Sequence, residues 1–301
     1  MWWIETTTEP KLIDKTEFYA RFTVSTLSLL GYEPVSDAAL KKIAETGVCG
    51  IELLQSPDQF DLENKKSAAN ISRMCRDRGM TIKAFHSHSV TFDEVDTMRA
   101  FLSRLDTCYR QIDNLVEVGG IIWASHAHQI RTVEKRAFEA LALYIENLPL
   151  RIGIENFTGP GMWVDDRLTF IGELNHPKIG LLLDIGHVRD VRGNNPMTIP
   201  GEASLLIHKV AGRLYHIHLH GFRNGVDHYP PMCNNDEIQW REIFSSLIDI
   251  EYDGLYNFEP KGMPTHDNTF EKVRNVYDNM RRLFLDGDHP SVALRHDSHV
   301  L

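Results

Sequence analysis

The chain carries 15 histidines, and many are clustered: His86 with His88, His126 with His128, and His216, His218 and His220 at alternate positions. Acidic residues close short apolar runs further along: Glu155 in RIGIEN, Asp184 in IGLLLDIGH and Glu259 in LYNFEP. Carboxylates and imidazoles ligate divalent cations, and the same groups move protons near neutral pH. One inward glutamate is ordinarily a buried ion pair or a satisfied polar group. Whether these residues do more depends on the elements that carry them.

Short β-branched or apolar runs alternate with amphipathic stretches eight times. The candidate strands are RFTVSTLSL from Arg21, GIELL from Gly50, TIKAFHS from Thr81, IIWASH from Ile121, RIGIEN from Arg151, IGLLLDIGH from Ile179, LYHIHLHG from Leu214 and LYNFEP from Leu255. Helical segments lie between them. DAALKKIAETG and ENKKSAANISRMCRDRG end on Gly47 and Gly79, the stretch from Glu94 to Val118 closes with two glycines, and Thr132 to Asn147 halts before Pro149. Asp165–Asn175, Ala203–Val210, Ile238–Ile250 and Asn268–Leu285 complete the set. Strict alternation argues for a parallel sheet covered by helices, and eight units in one domain favour a single closed (β/α)8 barrel. No glycine-rich phosphate loop follows the first strand. The expected organisation is an extension over 1–20, the barrel over 21–287 and a tail over 288–301.

In such barrels the chemistry sits at the C-terminal strand ends. Side chains alternate between the faces of a strand. If Ile152, Ile154, Leu181, Leu183, Tyr215, Ile217, Tyr256 and Phe258 pack against helices, then Glu155, Asp184, Glu259 and the three histidines from His216 to His220 point into the barrel. Bare anions at one point repel and lose hydration at a cost of several kcal/mol, which a divalent cation removes. Carboxylate-rich ligation with one imidazole suits Mn²⁺ first, with Mg²⁺, Co²⁺ and Zn²⁺ also compatible. By the same parity Glu52, His86 and His88 face inward. Glu52 reads as a substrate contact or an ion-pair partner, and the histidines as pocket lining.

The formal net charge is -10, which gives no general pull toward nucleic acid or an anionic membrane. The four cysteines lie far apart and form no CxxC, which suits reduced thiols in a cytoplasmic protein. No apolar run approaches the roughly 20 residues needed to cross a bilayer.

Taken together, IEN with Glu155, LLLDIGH with Asp184 and His187, HIHLHG with His218, and NFEP with Glu259 resemble the xylose-isomerase-like barrel superfamily, in particular its sugar phosphate isomerase/epimerase group. The resemblance runs from about Arg21 to Leu285. It implies metal ligation by Glu155, Asp184, His218 and Glu259, with Glu155 and Glu259 doubling as the proton-transfer pair of a ketose 3-epimerase-like site. It implies substrate contacts at His187 and, with a one-residue shift, Arg223. It also implies a small sugar-like substrate and a homodimer or homotetramer.

The reaction expected of this set is isomerisation or epimerisation of a small sugar or polyhydroxy ketone by proton transfer through an enediolate. Loss of a β-hydroxyl from the same intermediate would make the enzyme an inosose dehydratase-like lyase. A three-metal abasic-site nuclease of the endonuclease IV type belongs to the same superfamily. Asp227 and His228 hint at it, but they are adjacent and miss the nuclease's Asp-x-His spacing. A barrel that only binds sugar would need no flanking pair of proton carriers.

Overall fold

In the computed structural model of the chain, eight parallel strands close into a barrel. The structure describes residues 15–29, 35–54, 65–86, 103, 121–125, 132–148, 150–261 and 269–285. The barrel strands are β1 (Phe22–Ser25), β2 (Gly50–Leu54), β3 (Thr81–His86), β4 (Ile121–Ser125), β5 (Leu150–Glu155), β6 (Ile179–Asp184), β7 (Leu214–Leu219) and β10 (Leu255–Phe258). They follow one another around the ring in chain order, and β1 closes it by pairing with both β2 and β10. The expected alternation is therefore observed, with each expected strand found within a few residues of its reading.

The covering helices include α1 (Lys15–Ala20), α2 (Asp37–Glu45), α3 (Lys65–Arg76), α4 (Thr132–Ile145), α5 (Val164–Leu174), α6 (Glu202–Val210), α7 (Trp240–Asp249) and α8 (Thr269–Leu285). Local signals set their ends. Ser36 caps α2 by accepting from the Ala39 N–H at 3.2 Å. Asn175 ends α5 in the left-handed region at φ 44°, where a short polar side chain is tolerated. The stretch 94–118 expected as a helix lies, apart from Ser103, outside the described residues, as do His88, His126, His128 and the tail.

The core lies between the strands and the helices. Phe22 stacks on Tyr256 and Phe258 with ring centres 5.0 and 5.9 Å apart, and Tyr277 of α8 meets Phe22 edge-on. Phe18 of α1 is buried and packs on Phe22 and Tyr256, so the segment before β1 contributes to this layer. With Tyr256 and Phe258 committed outward, Asn257 and Glu259 face in, as the alternation requires.

One element was not anticipated. Between β7 and α7 the chain makes an antiparallel hairpin, β8 (Gly221–Arg223) and β9 (Val226–Tyr229). Its turn is Asn224-Gly225, with φ of 51° and 77°. Asn-Gly is a strong two-residue hairpin signal, because both positions need positive φ to match the twist of the flanking strands. The signal was present in HGFRNGVDHY, but the strands are too short to announce themselves. After it, Asp236 pins the loop by accepting from the Phe222, Met232 and Ile238 amides and from Trp240 Nε1 at 2.8 to 3.2 Å.

Candidate metal centre

Parallel register sets the acidic and imidazole groups side by side. Asp184 pairs with His218, and His218 with Asn257, across three neighbouring strands. Glu259 extends the ladder one residue past β10, its N–H donating to the Leu219 carbonyl at 2.9 Å. His218 Nδ1 is the meeting point: Glu259 Oε2 lies 2.8 Å away, and Glu155 Oε1 and Asp184 Oδ2 each 3.7 Å. None of the four residues is more than 2% exposed. The four residues implied by the resemblance are thus brought together. Donor atoms of Glu155, Asp184 and His218 lie within 4.8 Å of one another, and so do those of His86, His218 and Glu259.

Backbone geometry holds each group in place. Asp184 Oδ1 accepts from the Gly186 and His187 amides, both at 2.8 Å, and from His220 Nε2 at 3.0 Å. The Asn156 side chain donates to the Asp184 carbonyl and accepts from its N–H, at 3.0 and 2.9 Å. Arg167, fully buried, donates from Nε to the Glu155 carbonyl at 2.8 Å. Sequence reading assigned no role to His220, Asn156 or Arg167. For Asn156 the signal was its place directly after Glu155, whereas Arg167 lies on α5, where its inward reach is a tertiary matter.

The charges are mutually compensated. Burial pushes the Asp184 carboxyl up, but His187 and His220 outweigh it and hold it well below its ordinary value. Burial likewise opposes ionisation of Glu259, which His218 and His86 hold down. Burial would lower His218, yet Glu259 and Glu52 raise it well above its usual value. His86 and His187 are each pushed up to about 9, as their carboxylate neighbours overcome burial. Burial keeps His216 and His228 below the ordinary value, on the neutral side.

These residues fit a divalent cation. Among the described residues His218 Nδ1 is buried and makes no hydrogen bond, even to Glu259 Oε2 at 2.8 Å, an arrangement that a cation between the donors would satisfy. Carboxylates with one imidazole form the donor set of hard and borderline divalent ions.

The xylose isomerase-like TIM barrel family matches residues 40–283. The chain belongs to this family. Among solved structures, it is similar to the D-psicose 3-epimerase of Clostridium cellulolyticum H10, determined with D-tagatose, at 15% identity and a TM-score of 0.66, over 88% of this chain and 99% of that one. It is also similar to a xylose isomerase-like TIM barrel protein of Mycobacterium smegmatis in complex with magnesium, at 13% identity and a TM-score of 0.66, over 86% and 95%. An uncharacterised protein of Methanocaldococcus jannaschii is 24% identical over 146 residues; the match spans 47% of each chain.

Within this family barrel, the remaining candidate residues take different places. His86 lies between the two glutamates, its Nε2 3.6 Å from Glu155 Oε2 and 3.8 Å from Glu259 Oε1, with its ring 5.3 Å from that of His218. His187 Nδ1 is 3.3 Å from Glu155 Oε1 and 3.5 Å from Asp184 Oδ2, and its ring meets Phe157 edge-on. Glu52 is fully buried in the middle of β2 rather than at its end, where it contacts His216, His218 and Asn257. Arg223 is on the hairpin, its guanidinium over the Tyr229 ring and 3.3 Å from the Asn234 carbonyl. The hairpin also turns His228 inward: with φ at 56° it reaches His187, the two Nε2 atoms 3.2 Å apart. Asp184, His187 and His228 form a second group of donors within 4.8 Å.

Proposed function

We propose that the protein is a divalent-metal-dependent isomerase or epimerase of a small sugar or polyhydroxy ketone. The observation that carries this reading is the convergence of three carboxylates, from the ends of β5, β6 and β10, on His218 Nδ1 of β7. Glu155, Asp184, His218 and Glu259 would hold the ion, with Mn²⁺ first among candidates and Mg²⁺, Co²⁺ and Zn²⁺ compatible. The bound cation supplies Lewis-acid polarisation of a substrate carbonyl. Glu155 and Glu259 are the proton carriers: one removes the proton beside the carbonyl, and the other returns one to the resulting enediolate. Each has an oxygen within 3.8 Å of His86 Nε2, and they come from the ends of β5 and β10, which are not neighbours in the ring, so they can address a substrate from different strands. His86 and His187 donate hydrogen bonds to substrate oxygens. Arg223, on the hairpin after β7, is assigned to the outer part of the substrate, and His88 to the pocket lining. Return of a proton to the opposite face of the same carbon gives epimerisation, and to its neighbour isomerisation. Loss of a β-hydroxyl would make it a dehydratase.

The donor group Asp184, His187 and His228 favours one second reading, a multi-metal phosphodiesterase of the abasic-site nuclease type. The deciding experiment loads the stripped chain with Mn²⁺ or Zn²⁺, counts the metal and screens ketoses, inososes and an abasic DNA duplex. One equivalent, with solvent deuterium appearing beside the carbonyl of a ketose product, supports the isomerase. Close to three equivalents with DNA cleavage overturns it.

A further inference from the structure

The other nitrogen of the His218 ring ends a buried chain of hydrogen bonds that the proposed reaction does not use. Thr23 Oγ1 donates to Asn257 Oδ1 at 2.8 Å. Asn257 Nδ2 donates to Glu52 Oε1 at 2.7 Å. Glu52 Oε2 lies 3.4 Å from His218 Nε2. His216 Nε2 is 3.0 Å from the same oxygen but without hydrogen-bond alignment. The four residues of the chain come from β1, β10, β2 and β7, and all are fully buried.

Each direction in this chain is determined by chemistry. Turning the Asn257 amide over would set its oxygen against the Glu52 carboxylate, so its NH₂ group must face Glu52. An ionised carboxylate only accepts, so His218 must carry its proton on Nε2 to bond with it. A neutral imidazole has one protonated nitrogen. The proton on Nε2 therefore leaves the lone pair on Nδ1, the atom that faces Glu155, Asp184 and Glu259.

We propose that Glu52 is a positioning residue, which accepts the hydrogen bond from His218 Nε2 and so fixes the tautomer and ring orientation that present Nδ1 to the cation. This rests on the metal-centre reading above. Carboxylate partners of ligating histidines act in this way, and their loss weakens metal binding by about 10- to 100-fold. On this assignment Glu52 acts through His218 and does not touch substrate.

Glu52→Gln is a sharp test. Asn257 keeps the amide oxygen at the Oε1 position, so the NH₂ of glutamine takes the place of Oε2 and turns an acceptor toward His218 into a donor. The chelator-stripped full chain is titrated with Mn²⁺, and free ion is followed by electron paramagnetic resonance. Glu52→Gln should bind about 10- to 100-fold more weakly than wild type, with the far-ultraviolet dichroism of the metal-free protein retained. Long-range ¹H–¹⁵N spectra of the Mg²⁺-loaded protein should show His218 as the Nε2–H tautomer in wild type and lose that signature in the variant, a change that a packing role would not produce. Asn257→Leu, which releases Glu52 Oε1, should weaken binding in the same direction and decides the matter if Glu52→Gln does not fold. Wild-type Mn²⁺ affinity in the folded variants overturns the proposal. If wild type and Asp184→Asn bind Mn²⁺ alike, it is the metal centre itself that fails.

Discussion

Glu259 Oε2 lies 2.8 Å from His218 Nδ1, yet among the described residues the nitrogen makes no hydrogen bond. Two buried polar atoms at that separation would normally align, because an unmade buried hydrogen bond costs about 1–3 kcal/mol. Their misalignment is what two donors aimed at a third point would produce, and it fits the proposed roles of Glu259 as ligand and base.

Glu259→Gln keeps the shape and one ligating oxygen but cannot take a proton. Turnover should fall by about 10²- to 10⁴-fold, the range for a positioned general base. Metal content should stay near one equivalent. Near-normal kcat would remove Glu259 from the proton-transfer pair.

Asp184→Asn separates ligation from folding. The amide oxygen can still accept from the Gly186 and His187 amides, which hold the loop after β6. Its NH₂ group then stands where Oδ2 faces the other donors. Bound Mn²⁺ should drop toward zero in elemental analysis while the far-ultraviolet dichroism is retained. Full metal content would place the ion elsewhere.

The metal-free protein should lose stability between pH 6.5 and about 9. His86 and His187 are raised from 6.5 to about 9, so their contribution is complete below 6.5 and disappears as pH rises through 9. Glu52, Asp184 and Glu259 are lowered, so their contribution is present at neutral pH and is lost only on acidification. Melting temperatures of the stripped chain across pH 6.5–9.5 should therefore fall. Ligation requires His218 to be neutral although its surroundings raise it well above its usual value, so Mn²⁺ binding should release protons and tighten with pH. Calorimetry at pH 7 in buffers of different ionisation enthalpy measures that release. A pH-independent affinity would contradict it.

Gly186→Ala should damage the mouth by crowding rather than by backbone strain. A Cβ there would come within 2.1 Å of His220 Cε1 and 2.8 Å of Asp227 Cβ. His220 is held by Asp184 and by the His228 N–H, so it cannot yield without moving both. Overpacking of this kind costs about 1–3 kcal/mol. Urea unfolding and Mn²⁺ affinity should both worsen, and an unchanged midpoint would mean the loop can shift freely.

Thiol chemistry should follow burial. Burial pushes the Cys75 thiol up to about 12 and that of Cys233 up to about 11, whereas Cys49 is exposed. Alkylation at pH 8 followed by peptide mapping should modify Cys49 well before Cys75 and Cys233, because the thiolate is the reactive form. Fast labelling of Cys75 in the folded chain would contradict the packing of α3.

Two periods, read along the chain, were enough to foretell the barrel and its inward acids. Period two separates Ile152 and Ile154 from Glu155, and Tyr256 and Phe258 from Glu259, because a strand exposes alternate residues to helices and to the barrel interior. The 3.6-residue period of the intervening stretches marks the covering helices. Alternation left His216, His218 and His220 equivalent, and the tertiary structure separates them. Register places His218 opposite both Asp184 and Asn257; His220 turns to Asp184, and His216 lies beside Glu52. The tertiary structure also determined that Glu52, read as either a substrate contact or an ion-pair partner, meets His218 across the barrel, 166 positions away in the chain. Periodicity reports which way a side chain points on its own strand. Which atom it meets depends on strand order and stagger, which arise only when the sheet closes.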